Sequence, residues 1–282
     1  VLDWPLGLQL VATHDMLAEG VHFTADCPPA DIGWKLAAVN LSDLAAMGAR
    51  PVGVLMGAGL GAGRGSAWAE ALVAGLAQLL STHDVPLLGG DTICAGAATV
   101  LALTALGSVP PGGALSRGGA RAGDDLWVSG TIGDAGLGLK VALGEGPGDG
   151  AERLLKRYRR PTPRLGLGLA LRGVASAAID VSDGLLIDAG RLAEASSLAV
   201  KLEGAIIPLS AEARASGLVV AELAAMGDDY ELLFAAPPSR RAAVEAAAAA
   251  ARTPVTRIGR FEAGAGVVLD GRAPERLGFL HG

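Results

Sequence analysis

Apolar runs in this chain are short, and glycine interrupts most of them. The 282 residues include 42 glycines, while aromatic side chains make up only 4%. A core with so few large rings must be assembled from Ala, Val and Leu, with many tight turns between segments. Hydrophobic residues reach 51% and charged residues 18%, a balance that excludes a disordered chain. No apolar run attains membrane length before a glycine, polar or charged residue breaks it, so no membrane partner is expected.

Periodicity and punctuation predict mixed elements. Strands are expected over 8–13 (buried, running into His14 and Asp15), 51–60, 85–88 and 98–109, with helices over 30–47 and 66–82. Pro28 and Pro29 precede the first helix, and Gly48 stops it. Pro110-Pro111-Gly112-Gly113 marks a junction, which divides the chain into 1–110 and a C-terminal α/β domain, 111–282. Beyond it, strands are expected over 125–129, 177–181, 230–235, 255–259 and 266–269. Helices are expected after Gly133, after Pro163, from 184 to about 196, and over the alanine-rich 239–252. Both halves mix strands with helices without a clean βαβ repeat, so the pattern supports an α/β or α+β class.

Net charge is −6 and no basic stretch resembles a nucleic-acid footprint. An acidic protein that handles phosphates needs local cations. Cys27 and Cys94 form no C-x-x-C pair, which suits a reducing, cytoplasmic setting. The first residues, Val1-Leu2-Asp3-Trp4-Pro5, carry no signal-peptide pattern, and the missing initiator Met predicts a start inside a longer gene product.

Chemistry concentrates in acidic residues at the ends of apolar segments: Asp15, Asp91, Asp180 and Asp183. Carboxylates so placed point into clefts and can meet hydrated Mg²⁺, although each alone also suits a turn or an N-cap. Asp43 shares a helix face with Leu36, Asn40 and Met47, so a partly buried charge is expected there, with a metal or an arginine opposite. Gly89-Gly90-Asp91 and Ser129-Gly130-Thr131-Ile132-Gly133-Asp134 read as glycine-rich turns whose N–H groups can cradle phosphate. No G-K-[ST] or G-x-G-x-x-G occurs, which disfavours P-loop and dinucleotide-binding folds. Arg117 lies in a loop where it can pair with phosphate or remain solvated. Lys156, Arg157, Arg159, Arg160 and Arg164 are expected on a solvated or oligomer face. His14 and His22 do not have a recognised zinc spacing, and no Ser-His-Asp order stands out.

Taken in order, these motifs resemble the thiamine-monophosphate kinase family. They are Thr13-His14-Asp15-Met16-Leu17-Ala18-Glu19-Gly20-Val21-His22-Phe23, Asn40-Leu41-Ser42-Asp43-Leu44-Ala45-Ala46-Met47-Gly48-Ala49, Gly89-Gly90-Asp91-Thr92, the Ser129–Asp134 turn, Asp180-Val181-Ser182-Asp183-Gly184-Leu185 and Asp229-Tyr230-Glu231-Leu232. The resemblance implies a two-domain fold like that of aminoimidazole ribonucleotide synthetase, with mixed sheets packed with helices, in which 1–110 is the ATP- and metal-binding and dimerisation domain, and a homodimer with ATP held between the domains. It implies direct transfer of the γ-phosphoryl of ATP to thiamine monophosphate, with several Mg²⁺ ions and no covalent nucleophile or general base. Carried over by residue, Asp15, Asp43, Asp91, Asp180 and Asp183 would bind metal, assisted by Thr13 and His14. Gly90, Asp91, Arg117 and Ser182 would contact ATP; His22, Asp228 and Phe279 would contact the thiamine substrate.

Three departures accompany the resemblance. The family's Gly-Asp-Asp pair would lie just upstream of Val1. His14 stands where Thr or Asp is usual, and Met226-Gly227-Asp228 stands where Gly-Gly-Glu is usual. Other ATP-dependent enzymes of the superfamily, and a nucleotide-binding protein without turnover, remain as alternatives.

Overall fold

The structure is a computed structural model that describes residues 4, 6–146 and 148–280. The first half runs β1 (Gln9–Ala18), α1 (Pro29–Ala46), β2 (Arg50–Leu60), α2 (Ser66–Thr82), β3 (Leu87–Cys94) and β4 (Val100–Val109). The second runs β5 (Asp125–Ser129), α3 (Asp134–Ala142), α4 (Ala151–Arg159), α5 (Leu165–Ala170), β6 (Ala177–Asp180), α6 (Leu185–Ala195) and β7 (Ala199–Leu202). It continues with α7 (Ala211–Ala215), α8 (Val220–Ala224), β8 (Leu232–Ala236), α9 (Arg241–Ala250), β9 (Val255–Glu262) and β10 (Gly266–Leu269).

Each half builds one mixed sheet. The first has the order β1-β4-β2-β3, antiparallel except for the parallel β2–β3 pair. The second has the order β10-β7-β9-β5-β8-β6, antiparallel except for β10–β7. The mixed α/β class expected from the sequence is therefore met.

Helix α1 is the hub. It packs on α2 and α5 and lies against strands of both sheets. Small residues allow this: a side-chain carbon on Gly33 would sit 1.9 Å from the Leu72 carbonyl oxygen, and one on Gly75 would sit 1.8 Å from that of Ala30. The two helices thus approach backbone to backbone. Leu36, Ala37, Ala38, Leu41, Leu44 and Ala45 are all fully buried, which is how an aromatic-poor chain fills its centre.

Strands β5 and β8 are buried on both faces. Trp127, Leu232, Phe234 and Ala236 face the core shared with α1, while Leu126, Val128, Leu233 and Ala235 face the core around α6. This period-2 split of a continuous apolar run is what a sheet covered on both sides requires.

Two expectations are corrected here. The strand expected over 8–13 as a buried element extends to Ala18 and is half exposed, so Asp15 lies inside it rather than after it. Gly89-Gly90-Asp91 is not a turn but the middle of β3, an edge strand exposed along its whole length. Parallel pairing with β2 keeps the chain extended through both glycines.

Candidate functional site

A cleft of about 600 Å³ is lined by residues from both halves of the chain. Its centre is organised by three residues within one turn of α1, Asn40, Ser42 and Asp43. The Asn40 Oδ1 accepts the Asp15 N–H at 3.1 Å, fixing β1 against the helix. Ser42, fully buried, donates to the Asp180 carboxylate at 2.6 Å. Asp43 accepts the hydroxyl proton of Thr13. One helical turn therefore grips two strands, one from each sheet.

The carboxylates in this cleft work against one another. Burial, and then the negative charge of Asp43, push the Asp15 carboxyl up to about 6. The same two causes push Asp180 up to about 8, against the opposing hydrogen bond from Ser42. Burial raises Asp43 as well, offset by the Thr13 hydroxyl and the charge of Arg117. Burial first and like charge second mean that the cleft holds more carboxylates than it can comfortably ionise without a cation.

The Ser182-Asp183-Gly184 turn closes one side. Fully buried Asp188 accepts the N–H groups of Ser182 and Asp183, both at 3.0 Å, and Arg191 bridges Asp188 and Asp183. The segment 227–230 docks on this turn. Asp228 donates its N–H to the Ser182 carbonyl at 2.7 Å, and Tyr230 donates to that of Val181 at 2.8 Å. A side chain at position 227 would meet the Ser182 oxygen at 2.5 Å, so only glycine allows the approach. Asp228 and Tyr230 both hold positive φ, +70° and +49°, a strain borne where the loop is over-determined by its neighbours. Phe279 donates its N–H to the Asp183 carbonyl at 2.9 Å and brings the C-terminal segment to the cleft.

Nine residues singled out in the sequence line this cleft: Asp15, His22, Asp43, Arg117, Asp180, Ser182, Asp183, Asp228 and Phe279. Thr13 stands behind Asp43. The His14 side chain lies on the opposite face of β1 from those of Thr13 and Asp15, bonded to Thr104 at 2.8 Å. Gly90 and Asp91 do not line the cleft; Asp91 sits across from Gly57 on the exposed edge. Among the described residues, no group of three or more His, Cys, Asp or Glu side chains could hold a metal ion as it stands. The carboxylates share a cavity without converging on one point, as mutual repulsion dictates.

Two further expectations are overturned. In the Gly130–Gly133 turn the N–H groups of Gly130, Ile132 and Gly133 are already taken, which leaves little to cradle a phosphate. Gly130 donates to the Pro254 carbonyl and Ile132 to that of Pro208, while Gly133 and Ala135 both donate to buried Asp229, at 2.7 and 3.1 Å. The basic cluster is not simply a solvated face. Arg157 and Arg164 converge on Glu231, which is 1% exposed, and Arg160 pairs with Asp31 of α1 while covering the Trp34 ring. The Asp229-Tyr230-Glu231 motif is thus largely a device that locks loops to each other.

Sequence reasoning missed Lys35, Ser42, Asp188 and Arg191. The signal for Lys35 and Ser42 was present: both are polar positions in an otherwise apolar helix. Asp188 and Arg191 gave none, since a charged pair three residues apart on a helix is ordinarily solvated.

Comparison with known proteins adds to this geometry. The model of the AIR synthase related protein N-terminal domain matches residues 1–109, and that of the C-terminal domain matches residues 121–272. A thiamine-monophosphate kinase of Caulobacter vibrioides is 43% identical, covering 98% of this chain and 81% of that protein. The crystal structure of a thiamine-monophosphate kinase from Stenotrophomonas maltophilia K279a superposes with a TM-score of 0.87 at 42% identity, over 97% of this chain and 89% of the other. The structure of AaThiL complexed with AMPPCP and TMP also gives a TM-score of 0.87, at 31% identity, over 98% and 88% of the two chains.

Proposed function

The chain belongs to the AIR synthase-related family and, within it, to the thiamine-monophosphate kinases, and from that premise we propose how its cleft divides the work. The reaction moves the γ-phosphoryl group of ATP onto thiamine monophosphate, giving thiamine diphosphate and ADP. A phosphate oxygen of the acceptor attacks the γ-phosphorus in line as the bond to the β–γ bridging oxygen breaks. That oxygen is already ionised at neutral pH, so neither a general base nor a covalent enzyme intermediate is needed.

In this reading Arg117 and Ser182 contact ATP, while His22, Asp228 and Phe279 contact the thiamine phosphate. AaThiL, complexed with AMPPCP and TMP, supports sites for both kinds of ligand on this fold. Asp15, Asp43, Asp180 and Asp183, with the Thr13 hydroxyl and the His14 backbone, would hold Mg²⁺. The donor set fits: it is all oxygen, and a small hard cation takes one or two carboxylates with water and phosphate oxygens rather than a ready-made cage. Bound there, Mg²⁺ neutralises the two phosphates and stabilises the charge that develops during transfer. The observation that carries the assignment is that Asp15, Asp43, Asp180 and Asp183, drawn from both halves of the chain, line one cleft, where burial and like charge push Asp15 and Asp180 up to about 6 and about 8.

The same reading makes the protein a homodimer with domains 1–110 and 111–282. Strand β3 is an exposed edge, and the outer face of its sheet carries Leu10, Met16, Leu55 and Ile93, each more than 40% exposed. Edges of this kind pair with a second copy. The ATP and metal roles of Gly90 and Asp91 depend on that pairing, since neither lines the cleft of a single chain. A cytoplasmic location is supported by Cys27 and Cys94, both free thiols. Among the described residues no helix is long and apolar enough to cross a membrane.

Mass identification of the products after incubation with Mg-ATP and thiamine monophosphate tests the reading. Thiamine diphosphate and ADP in equal amounts are expected, and Asp43→Ala should lower turnover about 100-fold or more while leaving the fold intact. ADP without thiamine diphosphate would refute the acceptor; near-normal turnover in the variant would refute Asp43.

A further inference from the structure

We propose that Lys35 is a positioning residue for the thiamine substrate, holding Asp228 and the His22 turn at a fixed separation across the cleft. The proposal rests on the reading of Asp228 and His22 as substrate contacts.

Lys35 lies on α1 with its side chain only 3% exposed. Its ammonium meets the Asp228 carboxylate at 3.1 Å and donates to the His22 carbonyl oxygen at 3.1 Å. The third side is the face of the Tyr158 ring, 4.0 Å away. The Tyr158 hydroxyl donates to the same His22 carbonyl at 3.2 Å. A buried ammonium is costly unless its donors are met, and here a carboxylate, a carbonyl and an aromatic face surround it. Such a charge has one stable position, and whatever it bonds shares that position.

The groups it bonds belong to separate segments. His22 follows β1, with its ring accepting the Ala18 N–H at 3.1 Å. Asp228 belongs to the strained loop that docks on the Ser182 turn, and it also accepts a hydrogen bond from Tyr230. Through its ammonium Lys35 ties the loop directly to the His22 turn. Its ammonium also balances the Asp228 charge in advance. Asp228 therefore presents oxygen lone pairs, not an unpaired charge, to the substrate. The carboxylate remains 26% exposed, open enough to be reached from the cleft.

Steady-state kinetics on the full chain test this with three variants: Asp228→Asn, Lys35→Met and the double variant. The expected result is a rise in the KM for thiamine monophosphate of about tenfold or more in each single variant, with the KM for ATP within about twofold of the parent. The double variant should be no worse than either single one, because both act through the same contact. A thiamine monophosphate KM unchanged in Lys35→Met but raised in Asp228→Asn overturns the role of Lys35 and leaves Asp228 standing. Equal rises for both substrates in Lys35→Met also overturn it, since a structural role alone would produce them. An unchanged KM in Asp228→Asn overturns the reading of Asp228 itself, and this proposal with it. If Lys35→Met does not fold, the double variant, which buries no unpaired charge, carries the comparison. A KM equal to that of Asp228→Asn supports the proposal, and a further rise overturns it.

Discussion

Ser42 on α1 and Asp180 at the end of β6 are 138 residues apart in sequence and joined by a buried hydrogen bond of 2.6 Å. Through it a helix of the first half sets the ionisation of a carboxylate in the second. The bond favours the charged form of Asp180, against burial and the neighbouring charge of Asp43.

Ser42→Ala removes that donor without adding volume. Asp180 then holds its proton to higher pH, so the acid limb of the kcat/KM profile should move up by about one unit, and the Mg²⁺ concentration for half-maximal activity should rise about tenfold. An unchanged profile would show that Asp180 does not need its neutral partner.

The stability of the ligand-free protein should carry the signature of Asp180 in its pH dependence. Its folded carboxyl is pushed up to about 8, against 3.8 in the open chain, by burial first and by Asp43 second. The folded state therefore binds the extra proton. The stabilisation is full below about pH 4 and is lost as pH rises through about 8. Asp180→Asn keeps a group for Ser42 to bond but cannot titrate. The melting temperature of the parent relative to this variant should fall steadily from pH 5 to 9, and a difference that does not vary with pH would contradict the raised carboxyl.

Much of the frame was legible from sequence because it is written locally. The prolines at the start of α1, the 3.6 period of α2 (found at 66–82 as expected) and the apolar runs of β5 and β10 need no distant information. What was missed is non-local. Whether Gly89-Gly90-Asp91 turns or continues as a strand is decided by β2 lying alongside. Whether Arg157 and Arg164 are solvated is decided by Glu231, more than 60 residues away. The cleft carboxylates were found by family resemblance and by their placement at the ends of apolar segments. The polar residues that support them, Ser42 and Asp188, were not, because only packing shows which partner each one meets.

Glu231 gives a stability prediction free of the chemistry. It is 1% exposed and accepts from Arg157 and Arg164 together. Glu231→Gln removes the charge that both guanidinium groups oppose, leaving two partly buried cations facing each other. The loss should be about 3 kcal/mol, or roughly 5 to 10 °C in melting temperature. Thermal unfolding measures it directly, and a change below about 1 °C would mean that solvent already balances the two arginines.

The exposed edge makes the last prediction. Ile93 is 61% exposed on β3, a strand that pairs only with β2 among the described residues, and Met16 and Leu10 on β1 expose 52% and 57% of their surface on the far side of the same sheet. A sheet with apolar side chains at both open edges is complementary to a second copy turned end for end, because each β3 then meets the other β1. A lysine at 93 keeps strand propensity tolerable but places a charge in that seam. Ile93→Lys should therefore shift the protein from dimer to monomer in sedimentation equilibrium. Because Gly90 and Asp91 lie on the same strand, turnover should fall with the dimer fraction and recover as protein concentration rises. A parent protein that sediments as a monomer, or a variant whose turnover is independent of concentration and equal to the parent's, would detach β3 from the site.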